Sequence, residues 1–276
     1  MPKMPTLEEM LKAGVHFGHR TSRWHPKMKP FIFGSRGGVH IIDVEQTQKM
    51  LEEALAYASG IVSRGGNVVL IGTKPQIQDL IQKSAEEAGA PYVNTRWLGG
   101  TFTNFPEIQK LIKNYLGLID QRTKGELKKY TKLEQLQFDR KIEELEGKIG
   151  GISELKKLPE AIFVLDVRND KTAIVEAKKR GIKVIGVCDT NVNPTEVDYV
   201  IPANDDSIAS LRMIAKLMSQ ALLEGKANKK AVETAVKEKA DKKEEVAVAK
   251  ASQETVEDLD EAMKDQLVKE ASESKK

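Results

Sequence analysis

A single cysteine, Cys188, is all the thiol chemistry in 276 residues. No disulfide can form within the chain and no thiolate zinc cluster can be built, which suits a reducing compartment. Aromatic residues make up 5%, so aliphatic side chains must do most of the core packing. No apolar run approaches the roughly 20 residues of a membrane span, and no signal-peptide-like stretch stands near the N-terminus. The expectation is a soluble, cytoplasmic protein with no membrane partner. Phosphate-binding fingerprints are missing too. No G-x-G-x-x-G follows a strand pattern, and neither G-x-x-x-x-G-K-[ST] nor a G-x-S-x-G elbow occurs. These absences argue against a nucleotide-dependent enzyme, and no cofactor or small-molecule substrate is expected.

The most informative absence is local. From Leu11 to Ile42 there is no aspartate or glutamate. The same stretch carries Lys12, Arg20, Arg23, Lys27, Lys29 and Arg36, interleaved with His16, His19, Trp24, His25, Phe31 and Phe33. Cations attract phosphates in a salt-dependent way, and planar rings can stack on unpaired bases, as RNA recognition often requires. The plain alternative is a solvated basic loop anchored by its aromatics. The absence of any acid tips the balance to RNA contact. Net charge alone would not reveal this. Residues 1–225 hold 32 basic and 28 acidic side chains, against 12 and 13 in 226–276, so the two parts stand near +4 and −1.

Periodicity predicts the fold class. Thr6 and Glu9 form a capping box ahead of a short helix that stops at Gly14. Gly14–His40, with five Gly and two Pro, reads as loop with brief extended pieces. Helical spacing then runs through Met50, Leu51, Ala54, Leu55, Ala58 and Ile61. Apolar strand runs at 67–71, 92–93, 161–165, 183–187 and 198–201 alternate with helices opening at Pro75, Thr172 and Ser207. This predicts an α/β protein with a parallel, doubly wound (flavodoxin/Rossmann-like) core, made of residues 1–104 and 159–225. Between Phe105 and Leu158 no strand pattern appears. Ile108, Leu111, Ile112, Tyr115 and Leu118, then Phe138, Ile142, Leu145, Ile149 and Ile152, read as an inserted antiparallel helical-hairpin (coiled-coil) arm at 105–158. Residues 226–276, without Gly, Pro or aromatics, read as a disordered charged tail.

Three further constellations stand out. His16 and His19, with Asp189 or Asp205 supplying oxygen, are metal-ligand candidates, but nothing in the spacing fixes a third ligand. Packing or RNA-facing histidines are the simpler reading, and no metal is expected. Arg96-Trp-Leu-Gly-Gly-Thr-Phe-Thr-Asn104 follows a strand and precedes a helix. Arg96, Trp97 and Asn104 there suit a second RNA or protein contact, or else a strand-to-helix turn with a buried Trp97. Finally Lys74, Asp166, Asp189 and Asn204-Asp-Asp206 fall at predicted strand carboxyl ends, where α/β proteins bind ligands. They would serve an enzyme on a nucleotide or sugar phosphate, or they cap helices and brace loops. An adaptor that uses only the arm and tail is the other rival.

The segments GVHFGHRTSRWHPKMKPFIFGSRGGVHIID, RWLGGTFTNF, PEAIFVLDV and CDTNVNPTEVDYVIPANDD together resemble the bacterial small-subunit ribosomal protein two (S-two) family over roughly residues 4–225. The motif positions that carry over best are His16, His19, Trp24, Pro26, Lys27, Lys29, Arg36, Arg96, Trp97 and Asn104. The family more often has Asn at His25 and Gly at Ala203. The resemblance implies an α/β core with a protruding helical hairpin and a structural, non-catalytic role in translation. It implies contact with small-subunit ribosomal RNA and with ribosomal proteins one, three, five and eight.

Overall fold

The computed structural model describes residues 2–229. Almost all of the described residues belong to one compact unit, which ends at Ala227. The expected tail at 226–276 therefore falls almost wholly outside the described residues. In chain order the unit contains α1 (Leu7–Lys12), β1 (Phe17–Arg20), β2 (Ile32–Arg36), β3 (Val39–Ile42), α2 (Val44–Ser63), β4 (Val68–Ile71), α3 (Gln78–Ala88), β5 (Tyr92–Val93), α4 (Phe105–Thr123), α5 (Lys132–Ile149), β6 (Ala161–Val164), α6 (Lys171–Lys179), β7 (Lys183–Cys188) and β8 (Tyr199–Pro202). A last helix, α7, opens at residue 208.

Strands β4 to β8 form one sheet in the order β5-β4-β6-β7-β8, and every pairing is parallel. Counting these five strands along the chain gives the order 2-1-3-4-5, the flavodoxin-like arrangement with its switch point between β4 and β6. Every residue of β4 and β6 is buried, as expected for a sheet covered on both faces. Successive side chains alternate between the faces. Val68, Leu70, Phe163, Ile185 and Val187 pack with α2, α3 and α7 through Leu51, Leu55, Ile81, Leu211 and Met218. Val69, Ile71, Ile162, Val164 and Val184 pack with α4, α5 and α6 through Ile108, Ile112, Ile149 and Ile174. The predicted doubly wound core is the one observed.

Several local expectations need revision. Gly14–His40 is not mainly loop. It contains a three-stranded antiparallel sheet ordered β1-β3-β2. Gly37 and Gly38, at φ +59° and +76°, make the two-residue turn between β2 and β3, where positive φ at both central positions matches strand twist. Helix α3 begins at Gln78, not Pro75. Pro75 sits in a preceding turn, which Ile77 closes by donating its N–H to the Lys74 carbonyl at 2.9 Å. The expected capping box of Thr6 with Glu9 forms, and Thr131 makes another with Glu134.

Helices α4 and α5 are consecutive and joined through Gly125, at φ +74°. The stripes predicted to pair them are buried at Ile108, Ile112, Tyr115, Leu118, Ile142, Leu145 and Ile149. Those side chains share one core with the sheet. Arg122 approaches Asp139 of the other helix at 3.9 Å.

Cys188, at the end of β7, is completely buried, and that burial pushes its thiol pKa far up. Because the thiolate is the reactive form, Cys188 should resist iodoacetamide in the native state and alkylate fully once guanidinium unfolds the chain. Mass spectrometry before and after unfolding checks this, and rapid native alkylation would contradict the packing of β7.

Candidate nucleic-acid interface

Strand β1 lies at the carboxyl end of the parallel sheet, held by residues that follow β7 and β8. Asn204 receives the chain ahead of β1: its N–H donates to the Val15 carbonyl at 3.1 Å and its side-chain amide to the Gly14 carbonyl at 3.1 Å. The Ser207 hydroxyl donates to the Ala13 carbonyl. Gly18 then passes so close to Thr190 that a Cβ built on it would lie 2.6 Å from Thr190 Cγ2, which is why glycine is needed there. The region where a doubly wound enzyme leaves a ligand crevice open is thus packed with backbone from the N-terminal segment.

Lys12, Arg20, Arg23, Lys27, Lys29 and Arg36 are all exposed on this segment. Lys12 pairs with Glu8 at 2.7 Å, and Lys27 donates to the Thr195 hydroxyl at 3.3 Å. Among the described residues Arg20, Arg23, Lys29 and Arg36 have no carboxylate partner within salt-bridge distance. Their positive charge stays available to an external anion. His25 Nδ1 accepts from the Lys27 N–H at 3.2 Å and caps the helical turn that carries Lys27 and Lys29. Trp24 is half-buried against His40, with ring centroids 5.3 Å apart. One part of its ring anchors the segment and the remainder reaches solvent.

The histidines divide into distinct roles. His16 is half-buried against Phe17, its Nδ1 has no partner, and burial lowers its pKa. His19 turns inward. Its Nδ1 lies 3.0 Å from Asp189 and its Nε2 3.5 Å from Asp206. The hydrogen bond to Asp189 raises its pKa against the opposing effect of burial. With both nitrogens facing carboxylates, His19 braces the segment.

Of the metal-ligand candidates, His19 and Asp205 converge and His16 does not. Asp206 completes a set with His19 and Asp205 whose ligand atoms all lie within 4.8 Å of one another. One imidazole nitrogen and two carboxylate oxygens suit a divalent cation such as zinc. A protein cation already serves one of these carboxylates, that of Asp206. Lys74 reaches Asp206 at 2.7 Å and Asp166 at 3.5 Å. Burial, reinforced by Asp189 and Asp166, pushes the Asp205 carboxyl up to about 7. Lys74, Asp166 and Asp189, the residues the enzyme reading would use, are therefore linked through Asp206 and His19 in one cluster of ion pairs.

Trp97 is placed differently from the second RNA contact considered for it. It is 9% exposed and packs edge-on against Phe102. Its indole N–H donates to Glu176 at 3.2 Å. The buried Glu176 carboxylate also accepts from the backbone N–H groups of Gly100, Phe102 and Thr103. The RWLGGTFTN motif is thus wound around one carboxylate, in keeping with the strand-to-helix turn and buried Trp97 that its sequence also allowed. Sequence reasoning missed Glu176. Its signal is an acidic residue among the apolar positions of α6, beside Ala173, Ile174 and Ala177. Arg96 and Asn104 are exposed. Asn104 stands at the N-cap of α4 without a side-chain capping bond, so its amide is not consumed by the helix.

Fold and site together define a flavodoxin-like α/β protein whose cationic N-terminal segment packs on the loops that follow β7 and β8. The sequence matches the family described as Ribosomal protein S2 over residues 10–225. The chain belongs to that family, and its class is that of small-subunit ribosomal proteins. Among the described residues no helix is long and apolar enough to cross a membrane.

Proposed function

We propose that the chain is a structural, non-catalytic constituent of the small ribosomal subunit that supports translation by binding small-subunit ribosomal RNA. Arg20, Arg23, Lys27, Lys29 and Arg36 meet phosphates. Trp24 and His16 supply planar surface, and Arg96 and Asn104 add a second contact. The observation that carries this reading is an acid-free cationic segment held in a fixed shape, with four cations that lack carboxylate partners among the described residues. A rigid mount lowers the ordering cost of binding. Helices α4 and α5 act as an arm toward neighbouring protein or RNA. Their exposed Leu116, Leu133 and Leu136 support that use. Neighbouring ribosomal proteins, with proteins one, three, five and eight expected among them, complete the environment. An apolar hollow lined by Leu7, Leu11 and Phe33, with Phe33 80% exposed, supports a protein neighbour beside the RNA.

The test is purification of small subunits from cells expressing a tagged copy of this chain. Stoichiometric co-migration with the subunit is expected, and a tag confined to the free-protein fractions would sink the proposal.

A further inference from the structure

One buried residue holds both ends of the loop that carries Arg20 and Arg23. Thr190, at the carboxyl end of β7, is completely buried. Its side-chain oxygen accepts the His19 backbone N–H at 2.9 Å. Its backbone carbonyl accepts the His25 backbone N–H at 2.7 Å. The same hydroxyl donates to Asp189 at 3.0 Å, so both of its hydrogen-bonding roles are filled and its orientation is set. The Thr190 methyl fills the space that a side chain at position 18 would need. Between the two anchored amides run Arg20, Thr21, Ser22, Arg23 and Trp24, of which only Trp24 is half-buried. Arg20 is the last residue of β1 and pairs with Val39 of β3, and the Thr21 N–H donates to the Gly38 carbonyl at 2.9 Å.

We propose that Thr190 is the positioning residue of the RNA-binding loop. It touches no RNA, and it fixes the conformation in which Arg20 and Arg23 are presented. This rests on the RNA-binding reading above. The physical consequence is specific. A buried N–H that loses its acceptor is costly, so removing the hydroxyl lets the loop leave its docked conformation. Apparent affinity then falls by the fraction of molecules still docked. Once bound, the same cations meet the same phosphates, so the salt dependence is unchanged. Loss of a phosphate contact behaves differently, because it lowers the salt slope by about one.

The experiment compares Thr190→Val, Thr190→Ser and Arg23→Glu in the full chain, titrated with in vitro transcribed small-subunit ribosomal RNA at several salt concentrations. Thr190→Val keeps the shape and loses the hydroxyl. It should bind about tenfold more weakly at every salt concentration, with an unaltered slope. Its His19 amide should exchange hydrogen faster while the amides of β6 stay protected. Thr190→Ser keeps the hydroxyl and should bind like the parent. Arg23→Glu should flatten the slope. If Thr190→Val does not fold, Gly18→Ala disturbs the same contact from the loop side and should give the same salt-independent loss. Parent-like affinity in the folded Thr190→Val or Gly18→Ala chain, with Arg23→Glu still defective, would overturn the positioning role and leave RNA binding intact. Parent-like affinity and slope in all the variants would overturn both.

Discussion

Reversal of Arg20, Arg23 and Lys27 to glutamate together is expected to weaken binding to small-subunit ribosomal RNA at least about 100-fold near 0.1 M salt, and to remove the chain from assembled subunits. Each phosphate contact releases condensed counterions, and affinity falls with salt in proportion to the number of contacts. Losing three contacts lowers the salt slope by about three, and three new carboxylates add repulsion. The fold should survive. All three side chains are exposed, among the described residues none has a salt-bridge partner, and only Lys27 gives up a hydrogen bond, to Thr195. Surface substitutions of this kind usually change stability by less than about 0.5 kcal/mol each. Circular dichroism and thermal melting should therefore match the parent while the titration does not. A folded triple variant that still enters subunits would mean that the RNA lies against another face. A parent protein whose affinity hardly changes with salt would favour an adaptor that touches no phosphate.

The parts of this molecule legible in its sequence are those with short-range causes. The five parallel strands announce themselves as apolar runs because both faces of each must be covered, and β4, at Val68–Ile71, has every residue buried. The two capping boxes are local chemistry within four residues. The cationic segment is legible for the same reason, since absence of acid is a property of the segment itself. What was not legible depends on residues far apart in sequence. Nothing near His19 says that it faces Asp189 and Asp206 instead of solvent. Trp97 looked equally suited to stacking on a base or to burial, and a carboxylate 79 residues away decides the matter. Thr190 belongs to the CDTNVNPTEVDYVIPANDD motif, yet its contact with Gly18 joins residues far apart in sequence. The β2–β3 hairpin is a different case. Its Gly37-Gly38 pair was a local turn signal, and the richness of the segment in Gly and Pro masked it.

Glu176 carries the second large expectation. Replacing it with alanine should destabilise the protein by about 3–5 kcal/mol, the scale seen when one member of a buried charged network is removed. At roughly 2–4 °C per kcal/mol for a chain of this size, the melting temperature should fall by roughly 6–20 °C. The reason is the number of groups that lose their acceptor at once. Three backbone N–H groups, the Trp97 indole and the Thr103 hydroxyl all donate to this carboxylate. The loop they belong to joins β5 to α4 and carries Trp97 and Phe102 into the core. Glu176→Gln keeps one acceptor oxygen and should cost less, about 1–3 kcal/mol. Tryptophan fluorescence should shift to the red in the alanine variant as Trp97 gains water. The pH dependence separates this account from a simple cavity. Burial alone would raise the Glu176 pKa, but the N–H donors of Gly100, Phe102 and Thr103 and the Trp97 indole outweigh it and leave the pKa below its ordinary 4.5. A carboxyl whose pKa is lower in the folded state binds fewer protons there than when unfolded. Its contribution is complete above pH 4.5 and is lost as pH falls through the lower folded value. The gap in stability between the parent and Glu176→Gln should therefore be widest at neutral pH and narrow steadily in acid. A gap that stayed constant down to pH 3 would show that Glu176 contributes shape alone, and that the RWLGGTFTN turn does not depend on its charge.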